Sequence, residues 1–359
     1  LKSINFLIKP VSSMCQFSCK YCFYKDVSSY QSNHEESVMS YELAKKIISE
    51  AMTHTEPGVN INFGFQGGEP TLAGIEYYKN FVKLVDEMKS HQKVHYSLQT
   101  NGYLINDEWC KFFKENHFLI GISLDGFKDN HDYYRLISKN PTYDTVYKAI
   151  QKLDEYGIPF NILTVLTKSL CKRPKELYEF YKKENFEYIQ FIPCIDDINN
   201  KTPYATSGYL LEQFYKKFYI EWLRDLNHQN MHISLFDDLL NILNGQLPLK
   251  CGALGMCQPN FIVESNGDFY PCDFYAIDQY KMGNILDASL EDLSLNNNYR
   301  LFNSFDNTLH NTCKNCKYRG ICNGNCKRMR YLFVNGQKCN YRNFLEFFII
   351  EIKKEMNRR

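Results

Sequence analysis

Six short runs rich in β-branched and aromatic residues, separated by stretches of helical periodicity, set the tightest limit on how this chain can fold. They are INFLIKP (4–10), NINFGFQ (60–66), VHYSLQT (94–100), FLIGISL (118–124), FNILTVL (160–166) and YIQFIP (188–193). Helical patterns lie between them at about 40–54, 75–90, 107–116, 143–156 and 173–184. Ser40 is placed as the N-cap of the first, with Glu42 at the positive end of its dipole. Strands joined by crossover helices pair in parallel, so the pattern predicts an α/β fold built from repeated strand-helix units.

In such folds ligands gather at the C-terminal ends of the strands. The polar motifs of this chain follow that rule. Cys15 to Cys22 come after the first strand, Gly67-Gly68-Glu69-Pro70 after the second, Gln99-Thr100-Asn101-Gly102 ends the third, and Ser123-Leu124-Asp125-Gly126 ends the fourth. Four loops are expected to converge on one mouth.

Beyond residue 204 the texture changes twice. Residues 205–245 read as a helical bridge rich in Tyr, Phe and Leu, and from Cys251 to Cys339 the chain is dense in Cys, Gly and Asn. Within that stretch FIVESNGDFYPCDFY reads as a hairpin, with Asn266-Gly267 as a two-residue turn signal. The expected organisation is a catalytic domain over 1–204, the bridge over 205–245, a cysteine-rich module over 246–345 that depends on metal for its order, and a C-terminal helix over 346–359.

Lys and Arg total 42 against 41 Asp and Glu. That balance gives no electrostatic reason to bind nucleic acid or an anionic membrane. No window of about 18 apolar residues and no signal-peptide pattern is present, so a cytoplasmic protein is expected. In a reducing compartment the 14 cysteines, clustered as they are, read as metal ligands rather than disulfides.

Cys15-x3-Cys19-x2-Cys22 supplies three thiolates. A four-iron cluster held by three leaves one iron open for chemistry, whereas a structural site is usually closed by four ligands. Eight later cysteines (Cys251, Cys257, Cys272, Cys313, Cys316, Cys322, Cys326 and Cys339) suffice to close two more four-iron clusters. Spacing alone does not say which share a cluster. Local reasoning groups Cys313, Cys316, Cys322 and Cys326, and the same thiolates could hold a pair of structural zinc ions.

The first triad, with Tyr21 before its last cysteine, resembles the radical S-adenosylmethionine (SAM) superfamily, and Gly67-Gly68-Glu69-Pro70 makes the likeness specific. Cys257-x9-Gly267-x4-Cys272, followed by Cys313-x2-Cys316-x5-Cys322-x3-Cys326 and Cys339, resembles the SPASM extension of radical enzymes that modify peptides and proteins. Over nearly the whole chain the likeness is to the anaerobic sulfatase-maturating enzymes. It is carried by LIKPVSSMCQFSCKYCFY, FQGGEPTLAG, SLQTNGYLI, LIGISLDG, FNILTVLT and VESNGDFYPCDFYAID with MGNI after it.

That resemblance implies a partial (β/α)6 TIM-type barrel with a C-terminal SPASM module. It implies S-adenosylmethionine and three [4Fe-4S] clusters, one held by Cys15, Cys19 and Cys22. The auxiliary pair would be crossed, with Cys251, Cys257, Cys272 and Cys326 on one cluster and Cys313, Cys316, Cys322 and Cys339 on the other. The implied reaction oxidises a Cys or Ser of a sulfatase polypeptide to formylglycine. A 5'-deoxyadenosyl radical takes hydrogen from Cβ, a base removes the thiol or hydroxyl proton, and the second electron leaves through an auxiliary cluster.

Asp273 occupies the family's base position. Tyr21 and Gly68 are implied at the adenine and methionine ends of the cofactor, Ser123 and Arg135 at its ribose or carboxylate, and Ile195 on the adenine side. Tyr24 and Gln66 are candidates for holding substrate backbone. A donor such as flavodoxin or ferredoxin would supply electrons.

Two other readings compete. A maturase of ribosomal peptides, forming thioether or carbon-carbon crosslinks, often carries an N-terminal recognition domain, for which a first cysteine at position 15 leaves no room. A cysteine-rich electron carrier would close its first site with four cysteines rather than three. Cys110, Cys171 and Cys194 lie outside the ligand pattern and read as buried small hydrophobes, and Asn101-Gly102 reads as a turn.

Overall fold

The computed structural model describes residues 3–34, 36–55, 58–225, 230–257, 260–304 and 309–358. Strands β1 (Ser3–Ile8), β2 (Asn60–Phe65), β3 (Lys93–Thr100), β4 (Leu119–Ser123), β5 (Phe160–Leu166) and β6 (Tyr188–Pro193) fall on the six expected runs. Helices α1 (Tyr41–Thr53), α2 (Ile75–Met88), α3 (Asp107–Glu115), α4 (Tyr143–Glu155) and α5 (Pro174–Lys183) fill the expected gaps. Ser40 caps α1, its Oγ accepting from the Leu43 amide at 3.1 Å. Period-two burial explains the strands: in β1 Ile4, Phe6 and Ile8 are buried and the residues between them are not. In β2 the same role falls to Ile61, Phe63 and Phe65.

The chain divides into two units. The first comprises residues 1–123, 135–160 and 259–305. Its strands β1, β2, β3 and β4 pair in parallel in that order. On the free side of β1 lies β7 (Asn260–Val263), also parallel, with Asn5 opposite Asn260 and Ile8 opposite Val263. The segment that carries the predicted hairpin is thus a strand of this sheet, and β8 (Asp268–Tyr270) returns antiparallel to β7. The connecting turn differs from the two-residue expectation. The Glu264 amide donates to the Asp268 carbonyl and the Gly267 amide to the Glu264 carbonyl, so three residues form the loop, with Gly267 at φ +87°.

The second unit comprises residues 124–134, 161–258 and 306–359. Here β5 and β6 pair in parallel, and His232–Ile233 continues beside β6. Residues 226–229 of the expected helical bridge lie outside the described residues; before them runs α6 (Gly208–Arg224), and the unit closes on α7 (Asn340–Arg358). Phe191, Phe214, Phe218, Phe236, Phe344 and Phe348 interlock between β6, α6, the helix Ser234–Leu243 and α7 with ring centroids 5.1 to 6.4 Å apart. Each such buried ring contributes about 1.5–3 kcal/mol. The cysteine-rich stretch is different in kind: helices Asn311–Lys314, Arg319–Cys322 and Arg330–Phe333 have four residues each, and its hairpin has two-residue arms. Among the described residues no helix is long and apolar enough to cross a membrane.

Candidate active site at the strand ends

Three of the expected loops are tied together within the first unit. The Gly68 amide donates to the Ser12 carbonyl and the Glu69 amide to the Met14 carbonyl, each at 2.8 Å. This approach explains the glycines. A Cβ on Gly68 would stand 2.1 Å from the Met14 oxygen, and one on Gly67, at φ +118°, 2.5 Å from the Ser12 oxygen. Glu69 is fully buried and accepts from Thr71 Oγ1 (2.5 Å), Thr100 Oγ1 (2.6 Å) and the Asn101 amide (2.7 Å). Burial pushes its pKa above the ordinary carboxylate value against those hydrogen bonds.

Cys15 receives the Phe17 amide at 3.3 Å and Asn101 Nδ2 at 3.8 Å. Its thiol, together with those of Cys19 and Cys22, forms one electrostatic group, and burial pushes the Cys15 pKa up to about 12. Arg135 places Nη1 4.0 Å from Cys19 Sγ and its guanidinium 5.5 Å from the Tyr21 ring centre. Ser123 ends β4, whose neighbour β3 ends at Thr100. The thiol triad, Tyr21, Gly68, Ser123 and Arg135 all belong to the first unit; Ile195 follows β6 in the second and is buried there.

Asp273 opens a short 3-10 turn immediately after Cys272. Its two oxygens are treated differently. Oδ2 accepts from Tyr24 Oη at 2.7 Å and Gln66 Nε2 at 3.2 Å, and Gln66 Nε2 also reaches Tyr24 Oη at 2.6 Å. Oδ1 pairs with the Lys9 ammonium, 2.8 Å from Nζ. Tyr24 and Gln66 therefore have their polar ends on the candidate base.

Two residues of this centre were not singled out in the sequence. Lys9, 2 % exposed, follows β1 directly and lies between Asp273 and Glu264, donating to Glu264 Oε1 at 2.9 Å. Glu264 follows β7 directly, so the β1–β7 pairing, which ends at Ile8 opposite Val263, brings the two together. Burial alone would lower the Lys9 pKa, but the carboxylates of Asp273 and Glu264 hold it above the ordinary value. Glu264 is held below its ordinary value by Lys9 despite burial, and Tyr24 is raised by burial and by Asp273, which keeps it a donor. Gln31 Nε2 extends the network from Glu264 to the Ala276 carbonyl, and His34 joins Gln31 to Ser13. The available signal was a lone charge at the end of each of two apolar strands, which burial permits only with a partner.

In the second unit Cys313, Cys316, Cys322 and Cys339 form another electrostatic group, with burial raising Cys322 to about 12. A Cβ on Gly252 would meet the Cys326 Cα at 3.0 Å, and Lys250 feels both Cys326 and Cys251. Cys257 also belongs to the second unit, whereas Cys272 follows β8 in the first. The fourteen cysteines form no disulfide, and Cys110, Cys171 and Cys194 are buried, as expected. Among the described residues no three Cys, His, Asp or Glu side chains converge on a single metal ion; Cys15, Cys19 and Cys22 interact electrostatically, as do Cys313, Cys316, Cys322 and Cys339, and thiolates of a four-iron cluster each hold a different iron.

Residues 10–181 match the radical SAM superfamily, and residues 255–317 match SPASM, an iron-sulfur cluster-binding domain. A cysteine-type anaerobic sulfatase-maturating enzyme of Clostridium novyi is 40% identical over 99% of this chain and 96% of its own length. A serine-type anaerobic sulfatase-maturating enzyme of Bacteroides thetaiotaomicron is 29% identical over 92% of this chain and 84% of its own. The solved structure of native anSMEcpe with bound AdoMet and Kp18Cys peptide superposes with a TM-score of 0.89 at 33% identity, covering 99% of this chain and 100% of that one. The α/β class with a partial (β/α)6 TIM-type barrel and a SPASM module is the fold of that likeness.

Proposed function

The chain belongs to the anaerobic sulfatase-maturating enzymes of the radical SAM superfamily, and from that membership we propose how its own residues perform the oxidation of a sulfatase side chain to formylglycine. The preferred target is a cysteine. The relative named cysteine-type is 40% identical, against 29% for the serine-type one.

Cys15, Cys19 and Cys22 hold the radical-generating cluster, and Tyr21, Gly68, Ser123, Arg135 and Ile195 hold S-adenosylmethionine. When bound, that pair supplies a 5'-deoxyadenosyl radical able to take a hydrogen atom from the target Cβ. Cys251, Cys257, Cys272 and Cys326 hold one auxiliary cluster and Cys313, Cys316, Cys322 and Cys339 the other. The electrostatic coupling of the last four thiols, and the closeness of Cys326 to Gly252 beside Cys251, support this crossed partition. A flavodoxin- or ferredoxin-like protein is the electron donor, and the enzyme works in the cytoplasm.

Asp273 is the base. The observation that carries the assignment is the asymmetry of its carboxylate. Tyr24 and Gln66 fix Oδ2 by hydrogen bonds, while Oδ1 faces the Lys9 ammonium and keeps a second lone pair. A thiol proton from the target is received at Oδ1, beside the Lys9 ammonium that compensates the carboxylate's charge while it is ionised. Gln66 and Tyr24 orient the carboxylate and, at the same mouth, hold the substrate backbone.

The test uses the anaerobically loaded enzyme, S-adenosylmethionine, a reductant and a Cys-x-Pro-x-Arg peptide. Asp273→Asn should retain cofactor cleavage and lose about 10²–10⁴-fold of aldehyde formation, the usual weight of a general base. Full turnover in that variant refutes the base. Equal yields from the Cys peptide and its Ser counterpart refute the cysteine preference.

A further inference from the structure

Asn101 reads in the sequence as a turn residue, and its Oδ1 does accept from the Tyr103 amide at 2.9 Å. Its other end does something a turn does not need. Nδ2 points at Cys15 Sγ, 3.8 Å away, and the residue is 6% exposed. The Asn101 backbone is itself pinned, since its amide donates to the buried Glu69. The carboxamide is therefore aimed at a cluster ligand by the glycine-rich loop.

A second amide lies beside the same sulfur. Cys15 donates its thiol hydrogen to Gln16 Oε1 at 3.9 Å, and Gln16 Nε2 is buried with no partner. A cysteine that ligates iron has lost that hydrogen, and Oε1 would then face an anion. The oxygen and nitrogen of an amide exchange places by a half-turn of its plane. That half-turn presents the unpartnered Nε2 to the thiolate.

We infer that Asn101 and Gln16 are positioning residues whose amide hydrogens, with the Phe17 amide, surround the Cys15 thiolate and raise the reduction potential of the radical-generating cluster. The inference rests on the assignment of Cys15 as a ligand. Hydrogen bonds to cluster sulfur stabilise the form with the extra electron, because the donors' positive ends face the added negative charge. One electron enters the cluster from the external donor, and no bond forms or breaks.

Film voltammetry of the holoenzyme tests this. The wave that moves when S-adenosylmethionine is added identifies the cluster with the open iron. If no wave moves on that addition, the ligand assignment itself fails, which separates the two ideas. Asn101→Ser keeps an oxygen for the Tyr103 amide but cannot reach Cys15, and Gln16→Leu removes only the unpartnered amide. Each should shift the responsive wave to more negative potential and leave the auxiliary waves in place. A wave unmoved in both variants overturns the inference, and a shift in one alone overturns the other residue's part.

A measurement on the unaltered protein covers the case in which a variant does not load iron. With the side-chain amides of Asn and Gln labelled with ¹⁵N, pulsed electron paramagnetic resonance of the reduced cluster should show a weak ¹⁵N coupling. Its absence overturns the inference.

Discussion

The loop that carries Cys15, Cys19 and Cys22 and the stretch that carries Cys313, Cys316, Cys322 and Cys339 offer the same thiols on two kinds of backbone. The first is laced by hydrogen bonds from its neighbours: Gly68 to Ser12, Glu69 to Met14, Ser18 to Leu136, Phe17 and Asn101 to Cys15. Its shape follows from a parallel sheet with alternating buried residues. The second rests on four-residue helices and a hairpin with two-residue arms, joined by turns with Asn323 and Asn325 in the left-handed region. Such pieces are too short to be stable by themselves. The first region takes its shape from the sheet, and the second is expected to take its order from iron.

Chelating the iron should separate the two most. Metal binding to thiolates on a weakly ordered backbone is folding free energy, on the order of 10 kcal/mol for structural sites. Hydrogen exchange across 311–339 should approach unprotected rates in the apo protein, while residues 60–65 and 93–100 keep their protection. Equal loss in both regions would break the contrast.

Lys9→Met probes the organised side with a smaller effect. It leaves Glu264 and Asp273 without their cation, and breaking a buried ion pair from one end costs about 3–5 kcal/mol. In the wild type Glu264 has its folded pKa below the ordinary 4.5. Its share of stability is therefore present above pH 4.5 and lost as the pH falls through the lower folded value. In Lys9→Met that depression is gone, and protonating Glu264 relieves an orphaned charge. Anaerobic urea unfolding should show a gap between the two proteins that is widest near pH 7 and narrows as the pH falls towards 4. A gap that widens on acidification would contradict the pairing.

Ser40→Ala sets the lower end of the scale. It removes the cap of α1, which touches neither thiol group, and should cost about 1 kcal/mol of stability with product formation unchanged. A loss of activity there would mean that the organised side is less independent than its hydrogen bonds suggest.

Much of this was legible in residue order. Runs of β-branched and aromatic residues and helical spacing located β1 to β6 and α1 to α5, because each signal lies within a few neighbouring residues. The cysteine spacing and Gly67-Gly68 located the radical end of the site, and the close approach at Gly68 supplies the physical reason. What stayed hidden depends on partners far away in the chain. Lys9 was one more residue of the run 4–10 until β7 brought Glu264 beside it, and Asn101 read as a turn until Cys15 appeared across from its amide. Phe23–Ser28, which carries Tyr24 to Asp273, is too short for any periodic pattern to reveal.

The pairing of β1 with β7 also sets a schedule. Lys9 and Glu264 are 255 positions apart, and at about 5–20 residues per second a ribosome needs on the order of 10–50 s to make the second after the first. During that interval the nascent β1 has a bare edge on one side and a lysine whose counter-charge does not yet exist. Sheet completion is therefore a late event in synthesis, and a chain stopped before residue 260 displays an adhesive strand edge of the sort that molecular chaperones recognise.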